Sequence, residues 1–202
     1  MVFVNKLELN KKIKRDSLLE SAFSLFTSKG INKTSISDIV QQSGVAKGTF
    51  YLYFKDKYDL RNMLIAKKAC QLFRKADDEL LKTDIDNIFD EVIFIVNSLI
   101  NQLCANPSLL AFISKNLSWG VFKTSLINPV DDDELYFYNI YTRVTNRVDV
   151  KFKDPEIMLF MITELVSSTC YSSILYSEPV DIESLKPYLF DSVRDIMKRH
   201  QI

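Results

Sequence analysis

Glycine and proline are scarce, with 4 Gly and 5 Pro among 202 residues. A sandwich or barrel of short strands needs such residues at its many turns, so their scarcity argues for long helices. Histidine occurs once, as His200, which removes a histidine-based triad and a multi-histidine metal site from consideration. There is no C-x-x-C. Cys70, Cys104 and Cys170 are odd in number and widely spaced, as expected of reduced, buried thiols in a cytoplasmic protein. A P-loop and a glycine-rich dinucleotide fingerprint are missing, and the carboxylates are scattered, so an enzyme is disfavoured and no cofactor is implied. An apolar run such as Val92 to Val96 is far shorter than the roughly 20 residues of a membrane span. Met1 to Leu9 is too short and too charged for a signal peptide, so no membrane role is expected.

What is present is enough apolar material for a core, 47% of residues, and an uneven distribution of charge. The formal net charge is zero, yet Met1 to Lys57 holds 10 Lys and Arg against 5 Asp and Glu. The remainder holds 16 against 21. A basic first quarter on a mildly acidic body suits a polyanionic partner; the plainer alternative is a solvated charged face.

The apolar spacing predicts an all-α chain of about nine helices. Leu18, Ala22 and Phe26 form one helical row, and Leu19 and Phe23 a second, in a helix that stops at Gly30. Met1 to Asn10 is either a loose arm or the start of that helix, beside the basic cluster Lys11, Lys12, Lys14 and Arg15. Ser35 with Asp38 is a capping box, Ile36, Ile39 and Val40 give the next helix its apolar side, and Gly44 ends it. A further helix is expected from about Ala46 to Phe54. Phe50 and Phe54 share one face; Lys47, Thr49, Tyr51 and Tyr53 occupy the other. Two short helices around a tight turn, over about residues 35–54, have the form of a helix-turn-helix, whose second helix lies in a major groove. Asp56 then opens a long helix to about Leu81, and a polar break follows at Thr83 to Asp86. Apolar helices are expected at about 85–104, 109–122, 134–148, 155–176 and 182–199, with Asp154 capping the one that begins at Pro155.

The stretches Phe26 to Gly30, Thr34 to Val40 and Ser43 to Phe54, followed by Lys57 and Leu60, resemble the N-terminal region of TetR-type transcriptional regulators. The likeness covers about residues 11–66 and is most specific from Gly44 to Lys57. It implies an all-helical homodimer in which residues 1–56 form a three-helix DNA-binding domain and 57–202 a helical effector-binding and dimerisation bundle. It also implies a repressor released from its operator by a hydrophobic or aromatic small molecule. By position, Lys47, Gly48, Thr49 and Tyr51 match the recognition helix. Thr34, Tyr53 and Lys57 match positions that touch phosphates, and Ser35 is counted with them. Ala46 stands where many members have a capping Ser.

Chemistry gives these residues particular tasks. Lys47 can donate to guanine O6 and N7, or contact a phosphate. Gly48 costs roughly 1 kcal/mol in a helix relative to Ala, which a close approach to DNA would explain. Thr49 offers a methyl to thymine; Tyr51 and Tyr53 offer hydroxyls to phosphates. Lys57→Ala is expected to weaken binding to every sequence and to flatten the salt slope by about one unit. Two half-sites require a dimer, with the helices at about 155–176 and 182–199 as its interface. Ser167, Ser168, Thr169, Ser172 and Ser173 permit close helix approach there, with a plain core as the alternative. The middle helices are rich in aromatics: Phe89, Phe94, Phe112, Trp119, Phe122, Tyr136, Phe137, Tyr141 and Phe160. Phe89, Phe112, Trp119, Phe122 and Phe137 are the candidate effector contacts, an ordinary core being the alternative. A DNA-binding regulator without an effector is the second reading of the chain.

Overall fold

A computed structural model of the chain describes residues 6–114 and 132–202. Among these the architecture is all-α, with nine helices: α1 Lys6–Lys29, α2 Ile36–Ser43, α3 Lys47–Phe50, α4 Lys57–Leu80, α5 Ile88–Cys104, α6 Pro107–Ser114, α7 Asp132–Thr145, α8 Pro155–Tyr176 and α9 Ile182–His200. The chain divides into two compact units, Met1–Ile65 and Ala66–Ile202, and α4 contributes residues to both.

In the first unit α1 is helical from Lys6 onward, so the described part of the arm continues the helix; its residues 6–14 are exposed. Farther along, Leu18, Leu19, Ala22 and Phe26 are buried on the face that meets Ile39, Phe50, Phe54 and Leu60 in the core of this unit. Gly30 ends α1 with φ 81°, in the left-handed region where a side chain would be strained. α2 begins in the expected capping box: the Asp38 amide donates to Ser35 Oγ (3.1 Å) and the Ser35 amide to Asp38 Oδ2 (2.8 Å). It ends in a Schellman turn. Gly44, at φ 68°, sends its N–H to Gln41 O, and the Val45 N–H reaches Val40 O. α4 is capped by Asp56, whose Oδ1 accepts from the amides of Tyr58 and Asp59, both at 2.8 Å.

These caps make the unit sensitive to acid. The Ser35 amide, and then its hydroxyl and Lys29, hold the Asp38 carboxyl below its ordinary value; the Asp59 amide does the same for Asp56. A lowered folded pKa means stability that is complete above the unfolded value, near 3.8, and is lost as pH falls through the folded one. Helicity of the first unit is therefore expected to begin falling below about pH 4. Asp38→Asn together with Asp56→Asn should reduce that pH dependence; an acid transition unchanged in the double variant would exclude the caps as its source.

The second unit is built on α5, α8 and α9. Ile88, Val92, Val96 and Ile100 of α5 recur every four residues and are buried with Met158, Ile162 and Cys170 of α8 and Leu189, Val193 and Met197 of α9. Asn87 caps α5, its Oδ1 accepting from the Phe89 amide at 2.9 Å, so that helix starts two to three residues later than its apolar run suggested. Asp181 caps α9 through the Ser184 amide at 3.0 Å. Pro155 takes the first position of α8 as expected, but Asp154 does not cap it: it stands at φ 48° with no side-chain bond to the helix. The sequence pattern cannot reveal that the preceding Lys153 amide is drawn to His200 O, at 2.6 Å. The single histidine closes the same clasp, with Nδ1 2.7 Å from the Lys153 carbonyl oxygen.

α7 is tied to α4 and α5 by charge. Arg143 forms a two-pronged pair with the buried Asp77, and the Tyr136 hydroxyl donates to Asp78 at 2.9 Å. Burial, and then the Asp78 hydrogen bond, push that phenol up to about 12. Arg147 pairs with Glu91 and with Asp149 and donates to the Asp86 carbonyl.

α8 is long and apolar enough to cross a membrane by length and composition, with mean hydropathy 1.4 over an 18-residue window. Its apolar runs are short, broken by Thr163 and Glu164 and again by Ser167 to Thr169, yet the helix as a whole stays apolar. Only 22% of the window is buried, and Ile157, Phe160 and Met161 are exposed.

Candidate nucleic-acid interface and effector cavity

The recognition segment is shorter as a helix than its sequence predicted. α3 is the single turn Lys47–Phe50, and the chain then follows tighter turns, with Leu52 N–H to Thr49 O at 3.2 Å and Tyr53 N–H to Phe50 O at 3.0 Å. Ala46 supplies no side-chain cap, and Gly48, Thr49, Phe50, Tyr51 and Tyr53 are all middling or poor helix formers, so nothing local drives a longer helix. Phe50 and Phe54 are buried as expected, their ring centroids 5.5 Å apart. Tyr51 packs edge-on against Phe50 at 5.4 Å yet remains 54% exposed. Tyr53 leans on Phe54 at 6.2 Å and is half-buried. Lys47 and Gly48 are exposed, and Thr49 is partly so. The segment thus shows lysine, glycine, threonine and tyrosine outward while two phenylalanines anchor it inward.

Two of the expected contacts turn inward instead. Thr34 is 1% exposed, and its hydroxyl donates to Gly30 O at 2.9 Å. The Lys57 ammonium donates to Ile31 O (2.9 Å) and Thr34 O (3.0 Å). Together they close the turn between α1 and α2, where carbonyls would otherwise lack partners. Ser17 adds a third tie, its hydroxyl reaching Ser43 O at 3.1 Å. Sequence position alone does not reveal side-chain direction. Lys57→Met is expected to lower the stability of this unit by about 1–2 kcal/mol, the range for a partly exposed charged hydrogen bond. The salt slope of DNA binding should stay unchanged; a slope flatter by about one unit would restore Lys57 to a phosphate.

Leu52 escaped the sequence reading. It is 79% exposed at the tip, between the two tyrosines, where an apolar side chain has no packing partner. Its signal was a leucine off the Phe50–Phe54 face.

Gly48 has no heavy atom within 4 Å of where a Cβ would stand, and its φ is not in the left-handed region. Neither the protein's own packing nor its backbone therefore requires a glycine there.

The second unit contains a cavity of about 150 Å³. Its walls come from α4 (Ala69, Leu72, Phe73), α5 (Val92, Ile95, Val96, Leu99, Leu103), α6 (Leu110, Ile113), α7 (Phe137, Ile140, Tyr141, Val144) and α8 (Leu159, Ile162, Thr163, Val166, Ser167, Cys170). Of the expected effector contacts, Phe137 lines it. Phe89 does not: it packs in the α5–α8–α9 core, 6.4 Å from the Phe152 ring. Phe112 is buried without being among the described wall residues, whereas its neighbours Leu110 and Ile113 are. Trp119 and Phe122 lie outside the described residues. Most of the wall is aliphatic, which an aromatic count could not detect, since aliphatic lining and aliphatic core have the same sequence pattern. Burial pushes the Cys170 thiol up to about 11, so it is an uncharged part of the wall.

Residues 18–64 match the family described as bacterial regulatory proteins of the tetR family. The chain is similar to the uncharacterized HTH-type transcriptional regulator YvdT of Bacillus subtilis (strain 168), with 38% identity over 91 residues, 41% of this chain and 45% of that protein. It is similar to the fatty acid metabolism regulator protein of the same organism, with 31% identity over 70 residues, 35% of this chain and 36% of that protein. The matched region thus spans less than half the length of these two curated relatives. Among solved structures, the transcriptional regulator FadR from Bacillus subtilis in complex with stearoyl-CoA superposes with a TM-score of 0.58 at 16% identity, over 88% of this chain and 96% of that one. At that identity the likeness speaks to the fold.

Proposed function

We propose that this chain, a transcriptional regulator of the TetR family, works as a homodimeric repressor that leaves its operator when a small apolar molecule fills the cavity of the second unit. The observation that carries the DNA side is the outward face of residues 47–53, with no intramolecular reason for Gly48. Lys47 reads a base edge, Thr49 and Leu52 lie against thymine methyls, and Tyr51, Tyr53 and Ser35 hold phosphates. Thr34 and Lys57 keep the turn that presents them.

Two half-sites need two copies. The exposed Ile157, Phe160 and Met161 of α8, with Ser168 a turn or two farther on, form the apolar surface that a second copy covers, and α9 adds Tyr188. The effector lies against Ala69, Leu72 and Phe73, on the same helix that begins at Lys57 in the DNA-binding unit. A ligand preferring one placement of α4 biases the DNA-binding state.

Selection of bound fragments from the source genome tests the whole reading. Enrichment of a twofold-symmetric site is expected, protected by a species of twice the monomer mass in sedimentation. Failure to enrich any sequence, or a monomer at micromolar concentration, would overturn it. Gly48→Ala separates binding from folding: the variant should be more stable by roughly 1 kcal/mol and bind the selected site about tenfold more weakly. Full binding by the stabilised variant would show that nothing approaches that backbone.

A further inference from the structure

We infer that the effector is an uncharged apolar molecule carrying at most one hydrogen-bonding group, and that the cavity rejects carboxylates; this rests on the reading of that cavity as the effector site. Among the described wall residues none is charged. The polar side chains are Tyr141 of α7 and Thr163, Ser167 and Cys170 of α8. The last three follow at intervals of four and three residues, so they lie on one face of the helix. Hydroxyls and a neutral thiol can give or accept one hydrogen bond with an alcohol, phenol, ketone or ester. They cannot neutralise an anion.

Three cations of the second unit already hold acceptors of the protein's own. Arg143 holds Asp77 through its two terminal nitrogens, and Arg147 pairs with Glu91 and Asp149. Lys186 donates to Asn101 (2.9 Å) and Glu183 (2.6 Å). A carboxylate entering the cavity would find no cation among the described wall residues, and burial of an unpaired charge is heavily penalised. A cavity of about 150 Å³ has room for a molecule of about benzene's bulk.

The test is calorimetric titration of the full-length protein with three probes of one shape: toluene, p-cresol and 4-methylbenzoate. Toluene and p-cresol should bind, and 4-methylbenzoate should bind at least about tenfold more weakly than p-cresol. Thr163→Val should reduce p-cresol affinity and spare toluene. Val166→Phe and, from another wall helix, Leu103→Phe should abolish binding of both neutral probes while helicity is retained; either variant suffices. Equal or tighter binding of 4-methylbenzoate, or of decanoyl-CoA, would overturn the inference and leave the cavity as the effector site. Absence of binding by every probe, or undiminished binding in a folded cavity-filling variant, would overturn the inference together with the site reading beneath it.

Discussion

Phe50→Ala is expected to cost about 3–5 kcal/mol and to remove DNA binding with it. The ring is fully buried between Phe54 and Tyr51, in the core that also holds Leu18, Leu19, Phe26 and Ile39. A loss of that size is a large fraction of the stability of a unit of this length. α3 is one turn long and has no side-chain cap, so the segment is held in place by this burial and little else. Chemical denaturation followed by circular dichroism should show the first unit melting early while the helices of the second persist. Tyr51→Phe is the contrast. It keeps the edge-on packing and removes only the hydroxyl, so stability should change little while operator affinity falls. If Phe50→Ala cost less than about 1 kcal/mol, the phenylalanine would not be the anchor described here.

Arg143→Met is expected to destabilise the second unit by about 3 kcal/mol, at the lower end of the range for breaking a buried pair. The lower end applies because the arginine is about a third exposed, whereas Asp77 is almost fully buried and would be stranded. Asp77→Leu combined with Arg143→Met should recover most of the loss, since no uncompensated charge then remains. The pair joins α4 to α7, and both helices contribute wall to the cavity. The single variant is therefore also expected to weaken binding of any neutral probe. Additive losses in the double variant would mean that the two side chains act independently.

Much of the DNA-binding unit was legible as letters. The Ser35–Asp38 box, Gly44 and the Phe50–Phe54 spacing each act over at most four residues, and each appears in the structure in the role its local chemistry assigns. Helix number was legible for the same reason: a run such as Ile88, Val92, Val96 and Ile100 has one way to bury its apolar side. Aromatic content was a poorer guide to the cavity. Phe89 and Phe137 both belong to apolar helical rows, yet one packs in the core and the other faces the void. That difference depends on which helices leave a gap between them.

Local order, then, was written in the chain: where helices begin and end, that there are no strands among the described residues, and which short segment turns lysine, glycine and tyrosine outward. Folding in three dimensions settled the rest. It turned Thr34 and Lys57 onto the α1–α2 turn, held α3 to a single turn, left Ile157, Phe160 and Met161 of α8 exposed, and gathered wall residues from five helices around a space no single helix encloses. The physical reason is range. Capping and periodicity act through neighbours along the chain, whereas the direction of a side chain and the presence of a void depend on groups brought together from distant positions.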